Sequence, residues 1–229
     1  MSPYVLNTFA PFTYENYTPT KIISVRDTII WKFLFEVYNF SDPEEKQLNY
    51  IFDFLSWKLK IPARRSERIW CIVSEKQGTG KSSFFKFLVL VFSKRYCTFH
   101  HCLDSYVTKF NESNHSQLFH HVDDLHGATK SDTRKLFPMV TTSQMRYEAK
   151  GEKVLQLNEF SELFITANSD SPLYISPQDR RQVVMKVNPC WKFERQKFEA
   201  LYEEFECLDT GYAFYQFLKH RDIKDFHPS

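Results

Sequence analysis

Between residues 22 and 60, apolar side chains recur at helical spacing. Leu48, Ile51, Phe52, Leu55 and Leu59 fall three or four residues apart, which stacks them on one helix face and predicts a stripe turned to the core. Asp42-Pro43-Glu44-Glu45 just ahead reads as a helix start. An acid caps the first turn, proline tolerates its missing N–H there, and further acids meet the positive end of the helix dipole. Residues 1–21 are rich in Pro, Thr, Tyr and Asn without a period, and predict an irregular arm. Ile61-Pro62-Ala63-Arg64-Arg65-Ser66 predicts a linker. Beyond it the period shortens. Apolar runs at 69–73, 118–122, 163–167 and 182–187 predict buried strands, and 82–92 predicts a helix between the first two. Strands apolar on both faces and alternating with helical stretches predict an α/β fold with a mainly parallel, covered sheet. After Pro189 the helical period returns, with Phe193, Phe198, Leu201, Phe205, Phe214 and Leu218 as packing residues. The chain therefore divides into an arm and helical region (1–64), an α/β core (65–189) and a C-terminal helical region (190–229).

Composition narrows the class. The chain has 229 residues, 42% of them hydrophobic, enough for a sizeable core. A net charge of +2 offers no global basic field, so nucleic-acid binding has to come from a local patch. The five cysteines (Cys71, Cys97, Cys102, Cys190, Cys207) are odd in number and scattered. That argues against a disulfide framework and for a reducing compartment. No apolar run reaches membrane-spanning length, and the N-terminus lacks a secretion signal. The expectation is an intracellular protein, neither secreted nor membrane-bound.

Glycine is scarce, with five in all, and two of them fall in the segment that carries chemistry. A strand at 69–73 runs into Glu75-Lys76-Gln77-Gly78-Thr79-Gly80-Lys81-Ser82-Ser83 and then into a helix. Successive backbone N–H groups of such a loop cradle phosphate oxygens, and the helix N-terminus adds positive potential. Lys81 is placed to reach the β- and γ-phosphates, and the Ser82 hydroxyl to hold Mg²⁺. The expected ligands are ATP and Mg²⁺. The usual pattern opens on glycine, and Glu75 stands in that place.

An NTPase also needs a metal-holding acid and a group that orients the attacking water. The strand at 118–122 ends in Asp123 and Asp124: Asp123 would hold Mg²⁺ and Asp124 would polarise water. Asn168 ends the next strand, where its amide can hold that water. Asp179-Arg180-Arg181 offers arginines able to neutralise transition-state charge, often from a neighbouring subunit. Six of the eight histidines lie between 100 and 126, but their spacing with Cys97 and Cys102 fits no zinc pattern.

This ordered set resembles the superfamily 3 helicases, the AAA+-like replication ATPases of small DNA viruses, plasmids and phages. The loop at 75–82 is similar to their motif A. Val122-Asp123-Asp124 resembles motif B, and papillomavirus helicases also carry a paired Asp there. Tyr147-Glu148-Ala149-Lys150-Gly151 resembles motif B′, Phe164-Ile165-Thr166-Ala167-Asn168 motif C, and Asp179-Arg180-Arg181 the arginine-finger segment. The likeness covers residues 70–187. It implies an ATPase that works as a homo-hexameric ring on single-stranded DNA (RNA possible), with other replication proteins, in the cytoplasm or nucleus of a host cell. It also implies a hairpin that grips the strand through Arg146, Tyr147, Lys150 and Lys153, with Arg180 or Arg181 as the finger. Two rival readings are a packaging or assembly motor that does not unwind, and a catalytically weak nucleotide-binding module.

Overall fold

The computed structural model describes residues 9–39, 44–108, 111–123, 125, 129–169, 173 and 180–228. Five strands build the main sheet: β1 (Ile69–Val73), β2 (Cys97–His100), β3 (Phe119–Val122), β6 (Glu162–Ala167) and β7 (Gln182–Lys186). Their order is β2-β3-β6-β1-β7, and every pairing is parallel. Two further strands, β4 (Gln144–Tyr147) and β5 (Leu155–Asn158), form a separate antiparallel hairpin. The helices are α1 (Ile29–Phe33), α2 (Lys46–Lys60), α3 (Ser83–Phe92), α4 (Leu103–Tyr106), α5 (Lys130–Thr141), α6 (Arg195–Glu204) and α7 (Leu208–Lys219).

The central strands β1, β3 and β6 are buried throughout because both faces of the sheet are covered. Alternate residues of β1 go to opposite sides. Trp70 and Ile72 join an aromatic core with Phe54, Phe84 and Phe164, while Ile69, Cys71 and Val73 join a smaller core with Leu136, Val140 and Ile165. Trp70 is the hub of the first, with ring centroids 4.0 Å from Phe54 and 5.5 Å from Phe164. The predicted stripe Leu48, Ile51, Phe52, Leu55 and Leu59 is buried in that core.

Both flanks share this aromatic core: Phe12, Tyr14, Leu201, Phe214 and Leu218 all belong to it. The N-terminal arm is irregular apart from a short turn at Thr13–Asn16, but it is packed. Tyr14 donates to the Leu90 carbonyl at 2.9 Å, and its ring occupies the place a side chain at Gly211 would need. Tyr17 Oη and Thr20 N both donate to Asp209 Oδ1, at 2.8 and 2.9 Å. The expected linker is pinned as well. Ser66 N and Oγ donate to the Glu162 carboxylate at 2.8 and 2.6 Å, and Lys58 Nζ lies 3.5 Å from the same buried group.

Several expectations need correction. Helix α2 starts at Lys46, with Glu45 in a left-handed conformation at its cap, so Glu44 and Glu45 precede the first turn. Asp42 and Pro43 lie outside the described residues. Phe193 is not a packing residue: it is 89% exposed, with a positive φ of 71°. Strand β2 and helix α5 were not foreseen. Cys97-Thr98-Phe99-His100 is an edge strand with only its ends buried, so it shows no apolar run. The α5 segment is polar and contains Pro138, and a capping box between Thr129 and Asp132 starts it.

Candidate active site

Parallel strands bring their C-terminal ends to one edge of the sheet, and the candidate residues follow those ends. Strand β6 lies between β1 and β3. Residues just beyond β6 therefore stand between the glycine loop after β1 and the acid after β3.

The loop turns on two glycines with positive φ, Gly78 at 71° and Gly80 at 91°. At Gly80 a Cβ would sit 2.7 Å from Phe33 Cε2, so the backbone is pressed against the aromatic core. Buried Tyr38 fastens it there by donating to the Lys81 carbonyl at 3.0 Å. Lys81 is 9% exposed. Its ammonium donates to Asn168 Oδ1 at 2.7 Å and to the Lys76 carbonyl at 3.1 Å. Ser82 Oγ donates to Asp123 Oδ1 at 2.8 Å, and Thr166 Oγ donates to the same oxygen at 2.6 Å. Four of the expected site residues, Lys81, Ser82, Asp123 and Asn168, thus meet in one place. Asp124 lies outside the described residues, as does Asp179.

Thr166 belongs to the segment that resembles motif C, but nothing in the sequence assigned it a role beside Asn168. Behind it, His121 Nε2 lies 3.3 Å from Thr166 Oγ. Since Thr166 donates to Asp123, its oxygen accepts from His121, which fixes the Nε2–H tautomer. Burial lowers the His121 pKa to about 4 against the opposing pull of Asp123, so the ring stays neutral. On the other face of β3, His120 Nδ1 meets His100 Nε2 at 3.1 Å. Among the described residues no three His, Cys, Asp or Glu side chains converge on a metal-binding position.

Beside the loop opens a cleft of about 540 Å³. Gly78, Thr79, Gly80, Lys81, Ser82 and Ser83 form one wall, and helix α6 forms the other. Glu75 and Lys76 face a second hollow of about 300 Å³ toward Lys186 on β7, and Gln77 is exposed. The α6 wall was missed in the sequence. Its residues Arg195, Phe198, Glu199 and Tyr202 fall on one helix face, and that mixture of charge and aromatic rings is unlike a core stripe.

The arginines lie elsewhere. Ile69 N donates to the Arg181 carbonyl at 2.8 Å, which puts Arg180 and Arg181 at the N-terminal edge of the sheet. That is roughly 13 Å of strand away from the end that carries the loop. The Arg181 guanidinium lies 3.9 Å from the Phe137 ring centroid. Within one chain the arginines and Lys81 are not brought together.

The hairpin expected near Gly151 is present, with β4 paired to β5 from Gln144–Asn158 to Tyr147–Leu155. Asn111 holds the turn end of β4, donating to the Arg146 carbonyl at 3.0 Å and accepting from Glu148 N at 3.1 Å. Arg146, Lys150 and Lys153 are exposed. Tyr147 corrects the expectation of base stacking: it is 4% exposed, donates to Glu159 Oε2, and packs on His115 with centroids 5.2 Å apart. Alternation along β4 turns it inward while Arg146 faces out.

No helix of the described residues is long and apolar enough to cross a membrane. A model for a family of unknown function (DUF5906) matches residues 72–181, a stretch that runs from β1 to the arginine pair. No curated protein sequence matches the chain. Among solved structures, the NrS-1 C-terminal region is similar over 94% of this chain and 50% of its own, at 19% identity and a TM-score of 0.73. The JCV helicase is similar over 80% of this chain and 52% of its own, at 13% identity and a TM-score of 0.46. The chain thus spans about half the length of the solved chains it matches. Its helix-flanked, parallel five-stranded sheet, of the α/β fold class expected from the sequence, is shared with the NrS-1 C-terminal region.

Proposed function

We propose that this chain is the ATPase domain of a superfamily 3-type helicase, which binds ATP with Mg²⁺ at the Gly78–Ser83 loop and uses hydrolysis to move along single-stranded nucleic acid as a homo-hexameric ring. One observation supports this most: Lys81, Ser82, Asp123 and Asn168, from three neighbouring parallel strands and their loops, are joined by hydrogen bonds of 2.7 and 2.8 Å. A phosphate cradle alone needs no acid or amide beside it, whereas hydrolysis at a γ-phosphate uses a phosphate-binding lysine, oxygens that hold Mg²⁺ and a group that orients water.

The residues fit the metal. Ser82 Oγ and Asp123 Oδ1 are hard oxygen donors side by side, and Mg²⁺ takes one or two protein oxygens and fills the rest with phosphate and water. Bound there, it would neutralise charge on the β- and γ-phosphates. Lys81 would exchange the Asn168 amide for phosphate oxygens, freeing Asn168 to orient the attacking water. His121 and Thr166 would keep Asp123 in one orientation. Asp124 is the proposed polariser of that water. Glu75 speaks against an inert loop, since it is exposed and outside the left-handed region. Arg180 or Arg181, remote from its own loop, would serve the nucleotide of the adjacent subunit.

Arg146, Lys150 and Lys153 are proposed to track the phosphates of the strand. Strand displacement tests this together with single-strand affinity. Lys150→Ala is expected to abolish unwinding and weaken single-strand binding with an unchanged melting curve, because the side chain is exposed. Unwinding and affinity equal to wild type would remove the hairpin from the reading.

A further inference from the structure

Helix α6 turns Leu201 into the core and packs Phe198 on Phe33 and Trp191, with ring centroids 6.4 and 5.6 Å apart, while Arg195, Glu199 and Tyr202 line the cleft. Phe198 touches the loop itself, its Cε1 3.3 Å from where a Gly80 Cβ would be. One turn on, Tyr202 is 43% exposed, and its ring lies 6.0 Å from Phe198 at an interplanar angle of 34°. The Tyr202 hydroxyl lies 3.3 Å from Ser83 Oγ, and Lys86 Nζ lies 5.2 Å from its ring centroid. A half-exposed tyrosine is thus held over the first turn of the helix that follows the phosphate loop. Arg195 and Glu199 pair with each other at 2.7 Å at the mouth, 89% and 55% exposed.

We infer that the Phe198–Tyr202 wall of α6 is the seat of the nucleobase, which it holds by stacking rather than by reading the hydrogen-bonding edge, so that the substrate class is purine nucleoside triphosphates with little discrimination between adenine and guanine. This rests on the nucleotide reading of the loop. The cleft is of a size that encloses small ligands. The phosphate groups belong on the backbone of Gly78–Ser83, which leaves the opposite wall for the base. Aromatic faces accept any base, and larger bases stack more strongly. Sharp discrimination needs buried polar groups that a wrong base leaves unpaired. The charged groups of this wall, Arg195 and Glu199, are instead exposed and paired with each other.

Equilibrium binding of ATP, GTP, CTP and inorganic tripolyphosphate to the full chain with Mg²⁺ tests this. ATP and GTP should bind within about threefold of each other, and CTP more weakly. Tyr202→Ala should weaken ATP and GTP by about tenfold, as the loss of one stacked ring does. Tripolyphosphate affinity should not move, and Tyr202→Phe should bind as wild type does. Equal ATP affinity in wild type and Tyr202→Ala overturns the stacking assignment, and a preference for ATP over GTP of a hundredfold overturns the claim of weak discrimination. If Tyr202→Ala weakens tripolyphosphate as much as ATP, the tyrosine supports the loop and the base seat is wrong. Wild-type protein that binds neither ATP nor tripolyphosphate overturns the nucleotide reading on which the inference stands.

Discussion

A methyl group on Gly80 would lie 2.7 Å from Phe33 Cε2, on a backbone whose φ is +91°. Strain and clash act together there, and Gly80→Ala is expected to cost about 1–3 kcal/mol in urea unfolding, with weaker nucleotide binding. Glu75 is the opposite case. It stands where phosphate loops of this type open on glycine, yet its backbone is not left-handed and its side chain is exposed. Glu75→Gly is therefore expected to preserve or raise ATP affinity in a direct titration; a large loss would mean that the carboxylate does something the loop needs. Lys81, Ser82, Asp123 and Asn168 were legible at this scale because each is a distinct residue type ending a strand or loop. Thr166 and His121 were not, since a polar residue inside an apolar strand reveals its partner only once the neighbouring strand is in place.

Strand β2 enters the sheet only beside β3, and two histidines form part of that seam. Burial lowers the His120 pKa from its ordinary 6.5 to about 3, with His100 adding to the shift in the same direction. Between those values the unfolded chain takes up a proton that the folded chain refuses, so stability falls as pH drops below about 6.5. His120 alone is expected to remove about 2 kcal/mol by pH 5. Urea unfolding at pH 7 and pH 5 checks this, with His120→Phe predicted to show a smaller difference between the two. Strands β1, β3 and β6 were legible because they are buried inside the sheet, and β7, although it forms the opposite edge, because Val183, Val184 and Met185 still make an apolar run. Strand β2, on the edge, and α5, held by its cap and two buried aliphatic residues, Leu136 and Val140, carried too little pattern. The hairpin was expected from resemblance. That Tyr147 faces inward depends on its register against β5, which sequence alone did not supply.

At the scale of the molecule, the arm, the helical flank and the C-terminal helices close over one aromatic core, and the glycine loop is pressed against its edge through Gly80 and Tyr38. The sequence divided the chain at residues 64 and 189, where the hydrophobic period changes, but a change of period does not mark a gap in packing. The C-terminal region that matched no motif supplies a wall of the cleft beside the loop. The arginines stand at the far end of the sheet from that loop, so on the proposed reading a complete site forms only where two chains meet. That arrangement makes hydrolysis depend on assembly, but it first requires that the loop support hydrolysis at all. The most direct test is steady-state ATP turnover with Mg²⁺ and single-stranded DNA, in wild type and in Lys81→Ala. Turnover should be stimulated by DNA in wild type and fall about a hundredfold or more in the variant. Equal turnover in the two proteins would contradict hydrolysis at this loop.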